Sequence, residues 1–90
     1  MNREQLVTEI AGMTGLSKKA VSDVINAFMT TVTGALRNGD KVTLVGFGTW
    51  VMRRFKARKA RNPQTGAEMM LSAKNVVRFK ASKKLQDSMN

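Results

Sequence analysis

Six of the nine residues from Arg53 to Arg61 are basic (Arg53, Arg54, Lys56, Arg58, Lys59 and Arg61), and none is acidic. The run ends at Asn62 and at Pro63, the only proline of the chain, with Gln64 and Gly66 just beyond. The chemistry on offer is electrostatic. Guanidinium and ammonium groups bind phosphate oxygens, and each phosphate neutralised on duplex DNA releases counterions, with a salt slope of about −0.9 per contact. A narrow minor groove concentrates negative potential and favours inserted arginine. The plain alternative for such a run is a solvated charged face. Pro63 likewise has two readings. A turn proline ordinarily only fixes φ; at an exposed tip its rigid apolar ring can also enter an unstacked base step.

Other chemistries lack their residues. The chain contains neither cysteine nor histidine, which removes disulfides, thiolate metal ligands, the commonest general base and the commonest transition-metal ligand. Only six acids are present, and no Gly-rich phosphate loop or nucleophile–base pair is visible, so an enzyme is not expected. No cofactor or metal is implied. The charge is polarised along the chain. Residues 1–40 carry four basic and four acidic residues, net zero; residues 41–90 carry twelve basic and two acidic, net +10. Such asymmetry calls for a polyanionic partner, nucleic acid or an anionic membrane surface. No stretch approaches the roughly 20 apolar residues of a membrane helix, and "MNREQLVTEI" lacks an apolar signal region. An intracellular, soluble protein is expected.

The elements that must carry the basic run follow from periodicity and punctuation. Asn2 with Gln5 reads as a capping box, Leu6, Val7, Ile10, Ala11 and Met13 keep helical spacing, and Gly15 supplies a left-handed stop. Ser17 caps a second helix whose apolar positions are Val21, Val24, Ile25, Phe28, Val32, Ala35 and Leu36, ending at Gly39. That stripe is too broad for one partner helix and predicts burial against a second subunit as well. "KVTLV" reads as a short strand and "GFG" as a turn or bulge. Residues 49–61 and 67–80 have matched lengths either side of "NPQTG", which predicts a hairpin, although Lys, Arg and Ala are also good helix formers. The outer ribbon, about ten residues per strand at ~3.3 Å each, would reach on the order of 30 Å. Ser82 is a candidate cap for a C-terminal helix.

The fold class expected is therefore α+β in a single domain: a helical base over 1–39, a three-stranded antiparallel sheet body over 40–52 and 76–80, a long β-ribbon arm over 53–75 and a short helix over 81–90. With this element order, "GFGTW" at 46–50 and "RNPQTG" at 61–66, the whole chain resembles the HU and integration host factor family of bacterial DNA-bending proteins. The resemblance implies an intertwined dimer, with itself or a paralogue, whose two arms reach around DNA in the minor groove. It makes Pro63 the intercalating wedge, with Arg61 and Asn62 beside it in the groove. Arg53, Arg58 and Lys59 become arm contacts, and Arg3, Lys18, Lys80 and Lys83 lie on the saddle and flanks. Arg54, Lys56, Gln64 and Lys74 complete the candidate DNA-binding set. Phe47, Trp50 and Phe79, with Phe28, form the expected aromatic centre of the dimer. The chain departs from the family pattern at Trp50, where phenylalanine is usual, at Phe55 in an arm usually more polar, and in the apolar "EMML" of the return strand.

No recognition helix with asparagine and arginine aimed at base edges stands out. The expectation is thus a low-specificity architectural protein of the cytoplasm and nucleoid that bends and compacts double-stranded DNA, favouring bent, nicked or flexible sites. A sequence-preferring regulator of the integration-host-factor or phage type is the alternative. An RNA-binding arm protein is a further reading, to be separated by competition between duplex DNA and duplex RNA. A membrane-surface role would need an amphipathic basic helix in place of the arm.

Overall fold

A computed structural model describes all of residues 1–90. The elements run α1 (Arg3–Thr14), α2 (Lys18–Arg37), β1 (Val42–Leu44), β2 (Gly48–Phe55), β3 (Arg58–Arg61), β4 (Glu68–Leu71), β5 (Lys74–Ala81) and α3 (Lys83–Asp87). The α+β class, with helices followed by an antiparallel sheet and its ribbon, is the one expected from the sequence. The chain divides into two compact units, Met1–Gly34 and Ala35–Asn90.

In the first unit the caps behave as their residue types dictate. The Gln5 N–H donates to Asn2 Oδ1 and the Asn2 N–H to Gln5 Oε1, both at 2.9 Å, closing a capping box that satisfies two otherwise orphaned donors. Gly15 ends α1 at φ 74°, its N–H donating to the Ala11 carbonyl at 2.9 Å. Ser17 Oγ accepts from the Ala20 N–H at 3.1 Å to open α2. Val7 and Val21 are the buried apolar residues here, whereas Val24 is 61% exposed and Phe28 and Met29 are also open. The α2 stripe is only partly covered.

The second unit holds two antiparallel sheets, one of order β1-β2-β5 and one of β3-β4. The Phe47 N–H donates to the Leu44 carbonyl at 2.9 Å across the β1–β2 turn, and Gly46 holds φ 84° there, a value that suits glycine. Gly48 is needed for a different reason. A Cβ on it would meet the Phe79 ring and come within 2.7 Å of the Lys80 carbonyl oxygen. Ser82 Oγ accepts from the Leu85 N–H at 3.1 Å and starts α3. Of the expected 81–90, α3 covers Lys83–Asp87: at its start Ala81 is still paired with Gly48 in the ladder and Ser82 is the cap, and Ser88 caps its end.

The hairpin expected as two unbroken strands is interrupted once. Phe55 faces Lys74 at the end of the β2–β5 ladder, and Arg58 faces Leu71, three residues further along each strand, at the start of β3–β4. The register is therefore preserved, and only Lys56, Ala57, Ser72 and Ala73 leave the ladder. No glycine, proline or bulge marks the gap. These four residues supply no β-branched or aromatic cross-strand pair, the main source of local sheet stability.

Candidate nucleic-acid interface

The tip of the ribbon is organised by Asn62. Its N–H donates to the Ala67 carbonyl at 2.9 Å, its carbonyl accepts from the Gly66 N–H at 2.8 Å, and its Oδ1 accepts from the Gln64 N–H at 2.9 Å. Gly66 adopts φ 71°, which a side chain would strain. Pro63 lies inside this frame, takes part in none of its bonds and is exposed. The tip is thus a preformed turn that presents a rigid ring to solvent. Asn62, expected to lie in the groove beside the ring, has its side-chain oxygen committed to the turn.

Behind the tip, register decides which cations share a face, since side chains alternate across a strand. Arg53 faces Val76, Val51 faces Arg78 and Thr49 faces Lys80, so Arg53, Lys74, Arg78 and Lys80 fall on one alternation. Lys59 and Arg61 continue it through β3, where they face Met70 and Glu68. Arg54, Lys56 and Arg58 fall on the other. All of these cations are exposed. The one ion pair of the chain is Lys19–Asp23, at 3.0 Å on α2, so the arm keeps its charge uncompensated by contact acids. Arg78 was not in the sequence-derived set. Its even spacing with Lys74 and Lys80 along one strand is the signal that could have found it.

Two of the expected contacts are partly engaged already. Arg54 Nε donates to Asn75 Oδ1 of its cross-strand partner at 3.2 Å. Arg3 Nη2 donates to the Ser22 carbonyl, Ser22 Oγ and Asn26 Oδ1 at 3.3, 3.1 and 2.7 Å, pinning it to α2. Lys18 and Lys83 are exposed at the first positions of α2 and α3.

The aromatic residues separate from the cations. Trp50 faces Phe79 across β2–β5, and with Phe47 the three rings lie at tilted centroid distances of 4.8, 5.7 and 6.2 Å, within the favourable range for such pairs. Phe47 and Phe79 remain 46% and 43% exposed. Val7, Val21 and Leu36 are the only buried apolar side chains of the chain, a small core even for a chain this short. No group of three or more acidic residues is placed to hold a metal ion, and no helix is long and apolar enough to cross a membrane.

Against this geometry stand the similarities to known proteins. A family model described as bacterial DNA-binding protein matches residues 1–90. The DNA-binding protein HU of Geobacillus stearothermophilus is 47% identical over 88 residues, 98% of each chain. The DNA-binding protein HU-beta of Escherichia coli strain K12 is 43% identical over 90 residues, the full length of both. Among solved structures, an Anabaena HU–DNA cocrystal structure superposes with a TM-score of 0.84 at 39% identity, covering 99% of this chain and 97% of that one. HU from Thermotoga maritima does so with a TM-score of 0.70 at 26% identity over the whole of both chains.

Proposed function

We propose, because the chain belongs to the bacterial DNA-binding protein family, that it is a non-enzymatic architectural protein that binds duplex DNA along its β-ribbon, bends it and so compacts it in the nucleoid. The observation that carries this reading is the ribbon itself: cations without contact acids on both alternations, leading to a preformed tip that exposes Pro63. Arg53, Arg54, Lys56, Arg58, Lys59, Arg61 and Lys74 bind backbone phosphates as the arm follows the minor groove, with Gln64 and Asn62 at the tip. Pro63 enters a base step. Unstacking costs a few kcal/mol per step, offset by the additional backbone contacts of bent DNA. Lys18, Lys80 and Lys83 extend the contact to the flanks, and Arg3 joins them once released from Ser22 and Asn26.

Affinity then comes from phosphates and preference from deformability, with little reading of base edges. The acting species is a dimer, with a second copy or a paralogue. The exposed faces of Phe28, Phe47 and Phe79 and the partly open α2 stripe supply the apolar surface it would bury. Bending is tested by energy transfer between dyes at the ends of a short duplex, intact or nicked. Transfer should rise on binding, and more so on nicked DNA, where less stacking must be broken. Tight binding with unchanged transfer on both would overturn the reading.

A further inference from the structure

Phosphate binding by the ribbon leaves Phe55 unexplained. It is the last residue of β2, faces Lys74, and is 44% exposed. It lies outside the cluster of Phe47, Trp50 and Phe79, because Trp50 and Phe79 fall on the opposite alternation of the sheet. Instead it borders a shallow groove with Val51, Arg53, Arg78 and Lys80. Three cations thus surround an apolar floor, Lys74 stands directly across from the ring, and no acid is present. Immediately beyond Phe55 the ladder is interrupted at Lys56 and Ala57, so the backbone that follows the ring is free of ladder pairing.

An exposed ring interleaved with cations is the arrangement that holds unpaired nucleic acid, since every base has a π-face and every linkage a phosphate. We infer that Phe55 is a stacking platform for a single unpaired nucleobase, whose flanking phosphates meet Arg53, Lys74 and Arg78. This rests on the duplex-binding reading and deepens it. A base that is already unpaired, at a bulge or a gap, leaves the stack at least cost, so such a base is the occupant the site selects. Charge complementarity excludes a cationic partner, and the single ring with its narrow apolar floor suits one base rather than an apolar helix.

The test uses the full-length protein and two duplexes of equal length, one fully paired and one carrying a single bulged 2-aminopurine. The wild-type protein should quench the 2-aminopurine fluorescence and bind the bulged duplex more tightly than the paired one. Phe55→Leu keeps apolar volume and removes the ring; it should restore the fluorescence and reduce the bulged-to-paired preference by about fivefold or more, with binding to the paired duplex unchanged. Phe55→Trp should retain both quenching and preference. Equal quenching and an equal preference ratio in Phe55→Leu would refute the stacking site while leaving duplex binding intact. If the wild-type protein bound neither duplex, the broader reading would fail and this one with it.

Discussion

Replacing Pro63 by alanine should separate bending from charge. The three hydrogen bonds that frame the tip run through Asn62, Gln64, Gly66 and Ala67, at 2.8–2.9 Å, and none uses Pro63. Alanine therefore leaves the turn in place. Freeing φ at one position costs about 0.4–1 kcal/mol, chiefly through the unfolded chain. No charge changes. If the six basic residues of 53–61 all met phosphates, they would contribute about −5.4 to the salt slope per protomer, and that contribution should survive to within about half a unit. What disappears is the wedge. Bending a 20–30 bp site costs about 1–6 kcal/mol, and without the ring the DNA stays nearer its straight form. End-to-end energy transfer in the bound duplex should fall toward its value in free DNA. Affinity measured by anisotropy from 50 to 200 mM salt supplies the slope. A slope reduced by several units with bending unchanged would refute the wedge and make Pro63 a structural turn residue only.

Three further outcomes follow from the same geometry. Arg58→Ala should do the converse of the proline change, lowering the salt slope by about one while bending persists, as read by the same pair of assays. Gly48→Ala forces a methyl against the Phe79 ring and the Lys80 carbonyl. Overpacking of this kind costs about 1–3 kcal/mol, so the thermal midpoint should drop by at least about 4 °C; an unchanged midpoint in calorimetry would mean the strands part freely there. If the exposed faces of Phe47 and Phe79 are closed by a second subunit, a tenfold rise in protein concentration should raise the midpoint by about 3–5 °C. A concentration-independent midpoint would mean the monomer is the folding unit.

Much of the fold can be read from local chemistry. Asn2 with Gln5, Gly15, Ser17, Gly39 and Ser82 punctuate the helices because each solves a helix-end problem within three or four residues, and such solutions are visible in sequence. The ribbon is legible because its one turn, "NPQTG", sits between runs of matched length. The interruption at Lys56–Ala57 and Ser72–Ala73 is not legible. It arises from the weakness of the facing pairs, which requires the register to be known first. The cations themselves are evident from composition, but their partners are not. Arg3 reaches Ser22 and Asn26 about twenty residues away, and Arg54 reaches Asn75 only because the strands align them. The alternation that groups Arg53, Lys74, Arg78 and Lys80, and that sets Phe55 among them, likewise depends on a pairing that no single segment encodes.

The placement of the tip in the DNA minor groove is open to a direct measurement, because the chain has no cysteine of its own. Gln64→Cys places a unique thiol next to Pro63 at an exposed position whose backbone N–H, and not its side chain, holds the turn. A cleavage reagent tethered there, such as an iron chelate that generates hydroxyl radicals, should cut bound duplex in localised clusters, offset between the strands in the 3′ direction that marks the minor groove. Cuts offset in the 5′ direction, or diffuse cleavage no stronger than that from free reagent, would contradict the placement of the tip on which the account depends.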